Sequence, residues 1–456
     1  MTDTNVDLVV LGGGSGGYAA ALRAAELGSS VVLVEKEKVG GTCLHWGCVP
    51  AKTLLHAAEV ADEAREGLSI GVRTTFDGVD VPALLKYKDG IINRLYKGLT
   101  GLVKSRGIQT VLGEGRFVGP NRVVVGGDTY IGKDVILATG SYSRTLPGLT
   151  IEGRVITSTQ GLSLEWIPEK AIVLGGGVIG VEFASTWASF GTDVTIVEAL
   201  PTLVPLEDPW AAKLVERAFR KRKIAFKTGV RFQGVTQDDS GVTVTLEDGS
   251  TLTADLLLVA VGRGPYTSGC GYEDAGITMD RGFVITDERL HTNLPHVYAV
   301  GDVVPGLQLA HRGFQQGIFV AEDIAGMNPV VIPDEKIPKI TYCDPNVASV
   351  GLTEAAAKEV HGEIETYIYD LGGNGKSQIL KTAGGIKVVR VKDGPIVGVH
   401  MVGARIGELI GEAQLIVGWE AYPEDVAPMV HGHPSQYEAM GEAMLAMAGK
   451  PLHVHD

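Results

Sequence analysis

Apolar runs that end in glycine-rich turns recur along this chain. Residues 7–11 read as a buried strand that runs into Gly12-Gly13-Gly14-Ser15-Gly16-Gly17. An alanine-rich stretch with helical spacing follows to Leu27, and residues 31–34 form a second buried strand ending at Glu35. The order returns with a strand at 171–174, the turn Gly175-Gly176-Gly177-Val178-Ile179-Gly180, a helix from Val181 towards Phe190, and a strand at 194–197 ending at Glu198. In both copies the acid follows the first glycine by 23 residues. Apolar strands at 135–139 and around 297–300 run into Gly140-Ser141 and Gly301-Asp302. Near the end, a helical pattern with Pro434 at its first position runs to about Ala448, with Gly449 as its C-terminal cap. Strands alternating with helices predict an α/β architecture with parallel sheets.

Length and charge narrow this further. A chain of 456 residues exceeds what one core usually supports, so three or so domains are expected. With 54 acidic against 40 basic residues, the net charge of −14 opposes a phosphate backbone and argues against nucleic-acid binding. The basic run within 217–231 reads as a solvated helix face. No apolar stretch is long enough for a transmembrane helix, and the acidic start lacks a basic, apolar leader, so a cytoplasmic location is expected.

The repeated turn carries chemistry. In each copy the first glycine (Gly12, Gly175) allows the tight turn, the second (Gly14, Gly177) lets the backbone approach a pyrophosphate, and the third (Gly17, Gly180) lets helix and strand pack closely. Glu35 and Glu198 then suit a ribose diol. A carboxylate at Glu198 repels a 2′-phosphate, which favours NAD over NADP. Two dinucleotides in one chain imply electrons passing between them.

Four cysteines in so long a chain are no disulfide framework. Cys270 and Cys343 read as buried thiols. Cys43 and Cys48 lie just downstream of the first glycine turn. Five residues of regular helix span about 7.5 Å along the axis, beyond the usual reach of a disulfide, so pairing them requires a bend, which Gly47 permits. Packing as two separate thiols is the alternative. At the far end, Glu438 is placed to reach back to His433, forming a His–carboxylate dyad able to act as a general base towards a thiol. His431 reads as structural.

Taken in order, the two glycine turns, the run from Gly41-Thr42-Cys43 to Lys52, the Tyr298 to Asp302 junction and His433-Pro434 to Glu438 closely resemble the flavoprotein disulfide reductases, the class I pyridine nucleotide-disulfide oxidoreductases. The resemblance implies FAD and NAD as cofactors and no metal. It implies an FAD-binding domain at 1–148, an NAD-binding domain at 149–270, a central segment at 271–336 completing the FAD site, and an α+β interface domain at 337–456 that pairs two subunits. It makes Cys43 and Cys48 a redox disulfide, with Cys43 the interchange thiol and Cys48 the thiolate beside the flavin. Lys52 would lie near the flavin, paired with Glu182, and His433 would be the base, held by Glu438. Besides the first turn and Glu35, it assigns Gly115, Thr139, Gly140, Asp302 and Ala310 to FAD. Besides the second turn and Glu198, it assigns Glu182 and Gly262 to NAD. The branch it fits best oxidises dihydrolipoamide on the lipoyl domains of 2-oxoacid dehydrogenase acyltransferases or on the glycine-cleavage H protein. His45 and Trp46 between the cysteines, and Gln315-Gln316 after His311, depart from the usual pattern of the family, with Trp46 either narrowing access to the disulfide or packing against the flavin domain.

Overall fold

The computed structural model describes residues 3–453; the ends of the first and last expected domains, at 1–2 and 454–456, lie outside them. The first glycine turn joins strand β1 (Asp3–Leu11) to helix α1 (Ser15–Glu26), which leads to β2 (Val31–Glu35). Two short steps follow, helix α2 (Gly41–His45) and the longer α3 (Cys48–Glu66), then α4 (Val81–Ser105) and strands β3 (Gln109–Leu112), β4 (Gly115–Gly119), β5 (Arg122–Val125) and β6 (Asp128–Leu137). These strands form one sheet in the order β3-β2-β1-β6-β5-β4, parallel through β6 and antiparallel beyond it. Its central parallel strands are apolar on both faces because helical residues such as Ala20, Ala24, Val103 and Phe319 pack on one side, and Phe117, Val123, Tyr272 and Val284 pack on the other. Strand β6 changes partner along its length. Residues 128–131 pair with β5, and 135–137 pair in parallel with Val297–Ala299, which the later chain brings back to this sheet.

A ribbon of β7 (Ser141–Ser143) with β16 (Arg263–Pro265) carries the chain between the first unit and the second. Between them lie β8 (Val155–Thr157), α5 (Ser158–Gly161), β9 (Lys170–Leu174), α6 (Val178–Phe190), β10 (Asp193–Glu198), α7 (Pro209–Lys221), β11 (Ala225–Thr228), the meander β12 (Phe232–Gln237), β13 (Val242–Leu246) and β14 (Thr251–Ala254), and β15 (Leu256–Val259). Strands β11-β10-β9-β15-β8 make a second parallel sheet, and the meander covers one of its faces.

After the small hairpin β17 (Met279–Asp280) and β18 (Phe283–Val284) come β19 (Val297–Ala299) and α8 (Ala310–Ile324), which packs on α1. Backbones approach closely there, since a Cβ on Gly317 would fall 2.2 Å from Gly16 O. The last unit is an antiparallel sheet, β20 (Lys339–Thr341), β21 (Asn346–Gly351), β24 (Ile396–Gly403), β23 (Gly385–Val391) and β22 (Ile364–Asp370) in that spatial order. Its helices are α9 (Glu354–His361), α10 (Gly375–Ile379), α11 (Ile410–Gly418), α12 (Pro423–Val426) and α13 (Glu438–Met447), and α11 and α13 close the core over Val388, Val399 and Met401.

Three expectations are corrected. Helices α1 and α6 begin at Ser15 and Val178, so the third glycine of each turn lies inside the first helical turn rather than before it. Helix α13 begins at Glu438, four residues after Pro434, because residues 432–437 form a separate turn in which the Gly432 N–H donates to Tyr437 Oη at 2.8 Å and the Ser435 N–H donates to Glu438. The basic run is not wholly solvated. Helix α7 stops at Lys221, and the Arg222 guanidinium turns inward to Ser185 Oγ at 2.6 Å, Ser189 Oγ at 2.7 Å and Asp62 Oδ2 at 3.0 Å.

Candidate active site

At Gly12 the backbone has φ +110°, and a Cβ there would lie 2.2 Å from Ala138 O; at Gly14 it would meet nothing within 4 Å. The turn is therefore tight where it crosses the sheet and open where a ligand approaches. Gly17 is closed for another reason, since its Cβ would fall 1.8 Å from Gly12 O. A side chain at Gly12 or Gly17 would have to displace backbone.

Beside this turn lies a cavity of about 490 Å³. Of the residues expected around FAD, Gly12, Gly14, Glu35, Gly115, Thr139 and Gly140 line it. Glu35 is held in place by its own neighbours, with one carboxylate oxygen accepting the Gly13 N–H at 2.7 Å and the other the Glu37 N–H at 2.9 Å. Asp302 accepts the hydroxyl of Ser141, which itself lines the cavity. Arg263 Nε donates to Ser141 Oγ at 2.7 Å, so the wall carries a short polar chain of three residues. Ala310 is the first residue of α8. The glycine-lined turn, the open helix N-terminus and the fixed carboxylate fit an extended dinucleotide such as FAD. Sequence reasoning missed Thr42, Ser141 and Arg263 as wall residues; their only signal was proximity in sequence to Cys43, Thr139 and Gly262.

Cys43 lies in α2 and Cys48 opens α3, with the break at Trp46 and Gly47 between them. Gly47 has φ −145° and ψ −106°, outside both the helical and the extended regions, and a Cβ there would sit 3.0 Å from Thr42 O, so the bend favours the small residue. Both thiols are free, and a hydrogen bond between them ties their protonation together. This hydrogen bond, with Lys52 nearby, holds the Cys48 thiol below the ordinary range against the opposing effect of burial, while the same bond and burial push Cys43 well above it.

Lys52 stands four residues, about one helical turn, beyond Cys48 on the same face of α3. Its Nζ meets Glu182 Oε1 at 2.9 Å and Oε2 at 2.8 Å, and Glu182 Oε1 also accepts the Tyr342 N–H at 2.9 Å. Burial pulls Lys52 down, but the Glu182 carboxylate outweighs it and keeps the ammonium charged. Glu182, expected near NAD, has its carboxylate engaged by these two donors.

The second glycine turn has the geometry of the first. Gly175 has φ +110°, a Cβ on Gly180 would lie 1.8 Å from Gly175 O, and Gly177 faces open space. Glu198 accepts the Gly176 N–H at 2.6 Å and the Leu200 N–H at 2.7 Å. Gly262 has φ +101° and open space around it, just before β16.

At the far end His433 Nδ1 and Glu438 Oε1 are 2.8 Å apart, and the His433 ring is 80% exposed. Burial raises Glu438, but the Ser435 N–H and His433 outweigh it and hold the carboxyl below its ordinary value. Among the described residues no hydrogen bond joins this dyad to either cysteine of the same chain. His431 is bound to Glu412 Oε1 at 2.8 Å, and Cys270 and Cys343 are buried. Among the described residues no cluster of three or more His, Cys, Asp or Glu is arranged for a metal, and no helix is long and apolar enough to cross a membrane.

Residues 6–317 match the family model described as pyridine nucleotide-disulphide oxidoreductase, and residues 337–444 match the model for the dimerisation domain of that family. The chain is 39% identical over 464 residues to dihydrolipoyl dehydrogenase 1, mitochondrial, of Arabidopsis thaliana, which covers 98% of this chain and 91% of that protein. It is 39% identical over 471 residues to a dihydrolipoyl dehydrogenase of Bacillus subtilis, covering 99% of each. Among solved structures, LpdA from Mycobacterium tuberculosis superposes with a TM-score of 0.91 at 26% identity, over 98% of this chain and 100% of that one. The HOCl-induced flavoprotein disulfide reductase RclA from Escherichia coli gives 0.86 at 26% identity, over 96% and 99%. With glycine turns, thiol pair and terminal domain all inside the matched segments, the chain belongs to the pyridine nucleotide-disulphide oxidoreductase family.

Proposed function

We propose that the chain oxidises dihydrolipoamide on a lipoyl domain to lipoamide, using FAD and reducing NAD, the activity for which its Arabidopsis and Bacillus relatives are named. The observation that carries this reading is the Cys43 and Cys48 pair across the Gly47 break, next to Lys52 and to a cavity framed by the first glycine turn. FAD, when bound, takes the electron pair from the thiols and delivers it as a hydride to NAD. Gly12, Gly14, Gly17, Glu35, Gly115, Thr139, Gly140, Asp302 and Ala310, with Lys52, would hold FAD. Gly175, Gly177, Gly180, Glu198 and Gly262 would hold NAD, while Glu182 fixes Lys52. This divides the chain into an FAD domain (1–148), an NAD domain (149–270), a central segment (271–336) and an interface domain (337–456).

Turnover starts with the Cys43–Cys48 disulfide. His433 takes a proton from one substrate thiol, the thiolate attacks Cys43, and Cys48 leaves as the thiolate its surroundings favour. The second substrate thiol then attacks its partner sulfur in the mixed disulfide and hands its proton to Cys43 as that sulfur departs. Lipoamide leaves with two electrons fewer, and Cys43 thiol, Cys48 thiolate and protonated His433 remain. Among the described residues His433 bonds only to Glu438, and its ring is exposed, which supports a base that serves the disulfide of a second copy. The apolar surface of the same domain, with Val430 97% and Trp419 77% exposed, supports a homodimer. A reducing cytoplasm suits the thiol cycle, and the acyltransferase lipoyl domains or the H protein are the partners. The test is anaerobic mixing of the holoenzyme with dihydrolipoamide and then with NAD or NADP. NADH formation, lost in Cys43→Ser and Cys48→Ser with flavin retained, is expected; a thiol pair that stays oxidised with dihydrolipoamide sinks the substrate assignment.

A further inference from the structure

Trp46 falls between the two cysteines in sequence and lines the cavity beside the first glycine turn. It ends α2, its N–H bonded to Thr42 O at 2.8 Å, and it lies one helical turn beyond Thr42, so both side chains share a face. That face is a wall of the 490 Å³ cavity, where Trp46 stands with Thr42, Ser141, Thr157, Gln160 and Arg263. The residue is only half-buried in the chain alone.

What stands behind the indole is built to hold it. The His45 ring packs against Trp46 with centroids 5.2 Å apart, and Tyr96 of α4 meets His45 edge-on at 5.1 Å. His45 Nε2–H donates to Val39 O at 3.0 Å, which fixes both tautomer and ring plane. Burial lowers the His45 pKa, so the middle ring of the stack is neutral and adds no charge to the wall. Three aromatic rings in sequence, anchored at one end on α4 and at the other open to the cavity, give the indole one orientation. An apolar face left open to a cavity gains stabilisation when a planar or hydrocarbon part of a ligand covers it.

We propose that Trp46, braced by His45 and Tyr96, is a cofactor-retaining wall of the FAD site, a positioning residue that slows FAD release rather than a gate over the disulfide. This rests on the reading of the cavity as the FAD site. It also accounts for the departure at positions 45 and 46. His45 and Trp46 act as one unit, in which the histidine sets the plane that the tryptophan presents.

The test strips FAD from the wild type and from Trp46→Val, Trp46→Phe and His45→Ala, then titrates FAD back while following flavin absorbance and tryptophan emission. Burial of one aromatic face predicts about ten-fold weaker FAD binding for Trp46→Val, a smaller loss for Trp46→Phe, and about three-fold weaker binding for His45→Ala. FAD should quench more tryptophan emission in the wild type than in Trp46→Phe, the difference being the share of Trp46. Unchanged FAD affinity in Trp46→Val, or equal quenching in wild type and Trp46→Phe, overturns the proposal. If Trp46→Val fails to fold, the quenching comparison with Trp46→Phe still decides it. Wild-type apoprotein that takes up no FAD would overturn the reading of the cavity itself, a result separate from normal uptake that ignores Trp46.

Discussion

At the first glycine turn a Cβ on Gly17 would sit 1.8 Å from Gly12 O, and at the second a Cβ on Gly180 would sit 1.8 Å from Gly175 O. The residues that cap the two helices, Gly14 and Gly177, agree in φ and ψ within a few degrees, at −72° and −173° against −75° and −174°. The contacts behind the helices differ. Helix α1 leans on α8 through a close glycine crossing, and the strand preceding α8 joins the first sheet. Helix α6 leans on α3, the helix that carries Cys48 and Lys52, and the two are joined by Lys52 with Glu182 and by Arg222 with Asp62, Ser185 and Ser189. One motif thus serves two purposes: the first turn is locked into the fold around its own cavity, and the second is tied to the thiol helix. The glycines dictate the phosphate cradle, and the outward faces of the helices dictate what each cradle is coupled to.

Substitutions at paired positions break the comparison most sharply. Gly17→Ala is expected to yield protein with little or no flavin, because the new methyl meets backbone beside the cavity; overpacking of this kind costs about 1–3 kcal/mol, occasionally more. Gly180→Ala should leave the flavin-to-protein absorbance ratio unchanged and abolish NADH binding in a fluorescence titration. Loss of flavin in both would mean that the two turns are not independent.

Next in size is the coupling to α3. Lys52→Met leaves the Glu182 carboxylate buried with only the Tyr342 N–H as donor, and should lower the unfolding temperature by the equivalent of about 2 kcal/mol. The double change Lys52→Met with Glu182→Leu should recover most of it in calorimetry. No equivalent recovery exists at the first turn, where helix and partner meet through backbone.

The fixed acids give a smaller effect. Glu198→Gln keeps the shape but points an amide NH₂ at one of two backbone N–H donors, so NAD affinity is expected to fall about ten-fold with flavin content intact; Glu35→Gln should instead lower flavin retention. Titration of the free and loaded forms separates the two. The thiol pair offers a pH test. Cys48 is held below the ordinary thiol value of about 8.5, so its thiolate is present above the lowered pKa and disappears as pH falls through it. Ultraviolet thiolate absorbance of the reduced apoprotein should show one such titration, absent in Cys48→Ser and moved upward in Cys43→Ser, which loses the hydrogen bond between the thiols. The smallest effect is expected at Gln316, whose Oε1 accepts the Gly301 N–H at 2.7 Å. Gln316→Glu keeps that acceptor and should shift the unfolding temperature hardly at all.

Much of the site was legible along the chain because its parts are local. The dyad of His433 and Glu438, five residues apart, was visible from helical geometry even though the helix starts later than Pro434 implied. Asp302 is not among the residues lining the cavity, but its carboxylate accepts the hydroxyl of Ser141, which is, a bond across 161 residues that no local spacing announces. Arg222 was misread as solvated because nothing in a basic run reveals two serines and an aspartate brought to it from other helices.

The sequence by itself determined two dinucleotide cradles, a bent pair of thiols and a histidine held by a carboxylate, because each depends on glycine lacking a Cβ, on helical spacing, or on an acid at a set distance along the chain. Only the tertiary structure decided that Glu182 holds Lys52 across 130 residues, that Val297–Ala299 completes the first sheet, and that Trp46 lines the cavity. Those contacts depend on how helices pack across the chain, and the side chains that make them carry no mark of their partners until burial brings them together.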